Sequence, residues 1–407
     1  MDLSALGSNG FRTYIVANFL SILGIWINRI TVAWLGWSLT GSAAWVGVLS
    51  FLLFAPTLVT GPYFGALADR IDVKQGALVT QSMLVLLTLL LAVLDLAGFV
   101  DIWLLSFIAL LFGITASANS PIRLTLVPQL VSSRAIANAI TLISINFNAA
   151  RLIGPAIGGV AIAKLGSGMT ALVSFATLLP MLVTLPFLQT KAKAAHSATE
   201  GVGAQLLEGL RRVWQSEHLW HAMLVTAISS IIPGGALEIL PAVVDGVFHK
   251  GASGLGRALS AAGAGALTCG ISMTFLSPHL SLRRRVEFTL PWMAGGSLAV
   301  LALGLVPGWP FVIGLAFLLG AVGTFTSVTT QAVIQLDAED RFRGRAIGLW
   351  LVVSVGGNAA GALLLGTLAD LSNVRTVLIA AGIVGVLASV WAITSFYFDL
   401  ARGCRRG

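Results

Sequence analysis

With 407 residues, 57% of them hydrophobic and only 10% charged, the chain lacks the polar surface of a soluble protein. A mean hydropathy of +0.93 assigns it to lipid instead. Its formal charge of +8 comes from cations placed between apolar runs rather than clustered in patches, which removes nucleic acid from its partners.

The apolar runs are continuous rather than alternating, so the spanning elements are helices and not barrel strands. Polar breaks predict twelve of them, at 13–37, 43–68, 76–99, 102–122, 135–163, 168–189, 217–241, 253–277, 287–306, 309–331, 345–369 and 374–398. Each is long enough to cross a bilayer. The fold class is therefore an all-α polytopic membrane protein of two six-helix bundles, 1–189 and 217–407, the second ending in a short basic tail. The linker 190–216 has apolar residues at Val202, Leu206, Leu210 and Val213, the spacing of an amphipathic surface helix. The first run is too long for a signal-peptide core and should remain as a helix.

With the N-terminus inside, 18 of the 24 Lys and Arg fall in cytoplasmic segments, Arg123 among them. Four (Lys164, Lys250, Arg257, Arg375) fall outside, while Arg29 and Arg151 lie within spans. This is the positive-inside pattern of a multi-pass protein of the bacterial inner membrane with both termini cytoplasmic. Cys269 and Cys404 make no disulfide framework.

Along the chain, ionisable and polar residues inside spans mark function, because their burial in lipid is costly. The first span carries Asn18, Ser21 and Asn28 on one face, followed by Arg29; Trp26 is a deep aromatic able to stack on a substrate. The fourth span offers Ser117 and Asn119. In the fifth, Thr141, Ser144, Asn148 and Arg151 fall on one helical face that should line a cavity. Gly154-Pro155, with Gly158 and Gly159, combines a kink with small residues for tight packing. Pro233-Gly234-Gly235 should break the seventh span just before Glu238, whose carboxylate in a low dielectric is a proton-coupling candidate together with Arg151. The tenth span is polar on one side through Thr330 and Gln331. Asn358 occupies the place of Arg151 at an offset of 207. Similar offsets relate Gly41–Ser50 to Gly251–Ser260, and Gly154 with Gly159 to Gly361 with Gly366, so the halves are repeats with a site near the midplane. Two cavity arginines against one glutamate favour anionic or amphipathic cargo.

Between the second and third spans lies Gly65-Ala-Leu67-Ala-Asp69-Arg70-Ile-Asp72-Val-Lys74. It resembles the loop signature of the major facilitator superfamily, with Asp72 where that signature prefers glycine. Phe11-Arg12, Leu39-Thr40-Gly41-Ser42, Ser120-Pro121-Ile-Arg123 and Arg341-Phe-Arg343-Gly344-Arg345 look like the branch of enterobactin-type siderophore exporters and macrolide efflux proteins. The resemblance implies a secondary transporter that exports a small molecule by alternating access. It makes Gly65, Asp69, Arg70 and Lys74 a cytoplasmic latch, with Arg341, Arg343, Arg345 and Arg123 as partners for Asp69. The equivalent stretch of the second half has His279 where Asp69 would be. The resemblance also makes the fifth-span Gly-Pro element an antiporter motif and a proton or other ion gradient the driving force. The fourth span, ended at Ile122, lacks the arginine that drug antiporters of the superfamily carry there. An importer or lysolipid flippase of the same fold, and a non-transporting scaffold or sensor, are the alternatives. No metal cluster, nucleophile arrangement or P-loop stands in the sequence, so neither an enzyme nor a cofactor is expected, and the protein is read as a monomer.

Overall fold

The structure is a computed structural model that describes residues 4–68, 71–189, 216–276, 282–337 and 343–403. The linker helix, Asp69, Arg70, His279, Arg341 and Cys404 lie outside the described residues.

Six long helices come first: α1 (Asn9–Thr40), α2 (Ala43–Ala68), α3 (Val73–Leu96), α4 (Ile102–Leu130), α5 (Ile136–Leu165) and α6 (Ser167–Thr184). The seventh span is broken. It runs as α7 (Glu217–Ser229), a wide π turn at Ser230–Gly234, the short α8 (Gly235–Glu238) and a second π turn at Ala242–Val247. Five more follow: α9 (Gly251–Leu276), α10 (Leu282–Leu305), α11 (Trp309–Asp337), α12 (Arg343–Leu371) and α13 (Val374–Gly403). Among the described residues, ten helices are long and apolar enough to cross a membrane, and α2 adds the shorter apolar stretch Ala43–Leu58. The predicted spans are met in order, with α4 the main difference in length.

That difference has a chemical cause. Ser120-Pro121 and Arg123 read as an exit from the membrane, yet α4 continues through Pro121 and Pro128 to Leu130. A proline inside a spanning helix removes only its own N–H, so Pro121 frees the Ser117 carbonyl and the helix continues on either side. Thr125, one turn on, donates its Oγ1 hydrogen to the Pro121 carbonyl at 2.6 Å.

The chain divides into two compact units, Met1–Thr40 with Leu52–Thr199 and Gly251–Ser260, and Gly41–Phe51 with Glu200–Lys250 and Ala261–Gly407. In the first, α1 packs on α5 and α6, and α3 on α4 and α6. Phe11, Tyr14, Ile122, Leu126, Met181 and Leu185 form one buried cluster there. Because lipid tails are as apolar as the side chains, close packing and interhelical hydrogen bonds hold such helices together. Ser174 Oγ donates to the Gly24 carbonyl at 2.7 Å, joining α6 to α1. Asp72 begins α3 by accepting from the Lys74 and Gln75 amides. The Lys74 ammonium donates to the carbonyls of Pro186 (2.7 Å) and Leu188 (2.9 Å), just past α6.

In the second unit α10 packs on α11 and α13, and α12 on the broken span. Leu219, Met223, Leu290, Met293, Trp350 and Phe396 form its principal cluster. The Trp350 indole N–H donates to Thr330 Oγ1 at 3.0 Å. The first nine residues of α2, Ala43 to Phe51, belong to this unit. The N-terminus of α2 is capped by Asp370 of α12, which accepts from the Ala43 amide at 2.8 Å and from the Ser42 hydroxyl.

Candidate functional site

Two polar clusters stand in the first unit, the one half-buried and the other buried. One is built on Trp26. The Arg29 guanidinium lies 4.3 Å from the Trp26 ring centre and 3.6 Å from that of Phe54, and the Arg151 guanidinium lies 5.9 Å from Trp26. Both cations fall within the range at which an aromatic face attracts charge. Helix geometry explains the convergence. Trp26 and Arg29 stand three residues apart on α1, so they share a face. Gly154 of α5 lies beneath Trp26, where a Cβ would sit only 2.6 Å from the Trp26 Cβ. The missing side chain therefore brings Arg151, three residues earlier on α5, within reach of the indole. Trp26, Arg29 and Arg151, each predicted separately as a cavity residue, are thus brought together, with Phe54 a member the sequence did not signal. Phe54 had no signal beyond its place on an apolar helix.

Along α5, Thr141, Ser144 and Asn148 are exposed and Arg151 half-buried, while Ala139, Ile143 and Ala150 turn inward. Asn148 Nδ2 donates to the Ser144 carbonyl at 2.8 Å. Asn28 is 1% exposed, and neither its Oδ1 nor its Nδ2 has a hydrogen-bond partner. A carboxamide buried this way costs free energy until a ligand or water meets it.

The second cluster centres on Arg123 and corrects the expectation of a fourth span without arginine. Arg123 lies inside α4 and is 6% exposed. It is a buried helical residue, not part of an exposed loop after Pro121. Its guanidinium donates to Ser21 Oγ (3.1 Å), Asn119 Oδ1 (3.1 Å), and the side-chain and main-chain oxygens of Asn18. Ser21 donates onward to Gln81 Oε1 at 3.2 Å, and Gln81 Nε2 to the Leu178 carbonyl at 2.9 Å. Asn119 Nδ2 reaches Thr80 Oγ1 at 3.0 Å, and the Ser117 and Thr60 hydroxyls pair at 2.9 Å. Ser117 and Asn119, read as cavity residues, are therefore engaged in contacts between helices. These partners of Arg123 are neutral oxygens that share its charge, which is how a cation is carried inside a helix bundle. The available signal was the run Asn18, Ser21 on α1 with Asn119, Arg123 on α4, each at helical spacing.

In the second unit Glu238 ends α8, immediately after the break at Pro233, and accepts from Ser50 Oγ at 3.0 Å. The π turn lets α7–α8 rest against α12: a Cβ on Gly235 would lie 2.6 Å from the Gly361 carbonyl carbon. Asn358 abuts Gly234 on the same side, and Gln331 is half-buried on α11. Of the predicted latch, Gly65 falls in α2 and Arg343 and Arg345 in the first turn of α12, while Lys74 is committed to the carbonyls after α6.

A profile of the family described as transmembrane secretion effector matches residues 2–401. The multidrug efflux pump Tap of Mycolicibacterium fortuitum is 25% identical over 381 residues, 90% of this chain and 91% of the pump. The enterobactin exporter EntS of Citrobacter koseri is 27% identical over 392 residues, covering 90% of this chain and 87% of the exporter. Among solved structures, the nucleoside transporter NupG superposes with a TM-score of 0.72 at 12% identity, covering 95% of this chain and 99% of that one, a likeness of fold alone.

Proposed function

Because this chain belongs to the transmembrane secretion effector family of the major facilitator superfamily, we propose that it exports an anionic, partly aromatic small molecule, siderophore-like or drug-like, by proton antiport. The observation that carries this reading is the pair of arginines flanking Trp26. Two guanidiniums bind carboxylate or catecholate oxygens through paired hydrogen bonds, while the indole and Phe54 offer faces for a ring. The efflux pump and enterobactin exporter among its relatives support outward transport. The 18 inside cations outweigh the four outside, even with the buried Arg123 set aside, which supports cytoplasmic termini in an inner membrane.

Glu238, hydrogen-bonded to Ser50 beside a broken helix, is the proposed proton acceptor. A carboxyl that gains a proton ceases to be an anion and only then donates a hydrogen bond, so its partner set changes with each cycle. Arg123 supplies the fourth-span cation that the superfamily's drug antiporters carry. Asp69 and Arg70, with Arg341, Arg343 and Arg345, retain the latch role that the loop signature implies. The protein is read as acting as a monomer.

Proteoliposomes containing the purified full chain test the proposal. Transport of a catecholate or carboxylate chelator should rise several-fold when an imposed pH gradient drives protons against cargo flow, and collapse when an ionophore removes the gradient. Movement of cargo at the same rate with and without the gradient would remove the proton. Failure to move any anionic aromatic compound while cationic drugs are moved would overturn the cargo class.

A further inference from the structure

Outside the polar clusters, the first unit carries a groove of about 460 Å³ between α5 and the first part of α9. It exists because two glycines meet. A Cβ on Gly159 would lie 2.5 Å from the Gly256 Cα, and one on Gly256 would lie 2.8 Å from the Gly159 carbonyl carbon. Backbone on backbone at one point leaves a furrow along the crossing that longer side chains would have filled. Its walls are Ala156, Ile157, Val160 and Ala161, and Val160 is 43% exposed. Ser260 lines the groove as well, one turn past Gly256 on α9. Lys164, exposed in the last turn of α5, also lines it. From Ala156 to Lys164 the furrow runs along eight residues of α5, about 12 Å at 1.5 Å per residue.

The order of chemistry along this furrow is that of a lipid. Its floor is apolar over two helical turns, and it finishes in an ammonium where α5 ends. A second exposed cation, Arg257, stands near the start of α9, beside the glycine contact and one turn before Ser260. A basic side chain at the end of an apolar furrow, with a second beside its glycine crossing, matches an anionic head group above an acyl chain. A zwitterionic head group brings its own cation and so gains less from Lys164.

We infer that this furrow is a binding site for one anionic phospholipid, its acyl chain against Val160 and its phosphate on Lys164 and Arg257. Because α5 and α9 meet backbone to backbone at Gly159 and Gly256, a lipid lying along both stabilises their contact, whatever the cargo is.

The test is native mass spectrometry of the purified full chain equilibrated with equal amounts of phosphatidylglycerol and phosphatidylcholine of matched acyl chains. The parent protein should retain phosphatidylglycerol in preference. Lys164→Gln and Arg257→Gln should each lower that retention roughly fivefold, and Lys164→Arg should preserve it. Val160→Trp should displace the lipid with both cations intact, and its retention time on size exclusion checks that it folds. The two charge variants change exposed side chains, so they decide the matter even if the tryptophan is not accommodated. Equal retention of both lipids by the parent, or unchanged phosphatidylglycerol in the double charge variant, would overturn the assignment.

Discussion

The Arg123 guanidinium donates to Ser21 Oγ across 3.1 Å, and Ser21 passes its own hydrogen to Gln81. One hydroxyl thus serves as acceptor for α4 and donor for α3 while standing on α1. Three helices are registered by a single atom, and the cation that organises them is buried in the first unit.

Removing that cation should therefore loosen the unit. Arg123→Ala leaves Asn18, Ser21 and Asn119 without their donor, and each unsatisfied buried group costs about 1–3 kcal/mol. A clear fall in the detergent melting temperature is expected. Arg123→Lys should recover part of it, because an ammonium keeps the charge without the planar fork. A melting temperature unmoved by Arg123→Ala would mean that the network is dispensable.

The cluster on Trp26 makes a prediction about cargo rather than stability. Arg151→Gln should weaken binding of an anionic substrate about tenfold or more, since charge-assisted hydrogen bonds contribute roughly 1.5–3 kcal/mol. Trp26→Phe, which keeps a ring face, should lose far less than Trp26→Ala. Binding measured by tryptophan fluorescence or calorimetry separates the three.

Gly154 has no room for a side chain. Gly154→Leu should destabilise by about 1–3 kcal/mol through overpacking against Trp26 and shift Arg151 away from the indole. Gly154→Ala should show the same effects in smaller degree. A leucine variant that melts and binds like the parent would refute the contact.

Asp370 holds the start of α2 from another helix. Asp370→Ala should cost about 0.5–2 kcal/mol, the range for losing an N-cap acceptor. Ser42→Ala should cost a comparable amount, because it removes the acceptor of the Trp45 amide as well as the hydroxyl bond to Asp370. A double-mutant cycle on melting temperature should give a coupling energy distinct from zero.

At the proposed coupling site, Glu238→Gln should abolish the response of transport to a pH gradient while leaving cargo binding intact. Ser50→Ala, which removes only the hydrogen bond to Glu238, should retain the response in weakened form. Gradient-driven flux in proteoliposomes reads both.

Much of this protein was legible in its residues. Spanning helices follow from hydropathy and run length, because backbone polar groups in lipid must be satisfied within the segment itself. The break before Glu238 followed from Pro233-Gly234-Gly235, since proline removes a donor wherever it stands. Arg29 and Arg151 were legible as charges costly to place in a span, and Trp26 as an aromatic deep within one. What lay beyond the sequence was which residues meet. Arg123 looked cytoplasmic because a proline and a charge at a span's end have the same composition whether the helix stops or continues. Only the placing of Asn18 and Ser21 on a neighbouring helix, with Asn119 one turn away, decides that this guanidinium stays buried. Phe54, Asp370 and the Gly159–Gly256 crossing were hidden for the same reason. Hydropathy is additive along the chain, whereas a contact is a property of two segments that only the tertiary fold brings together.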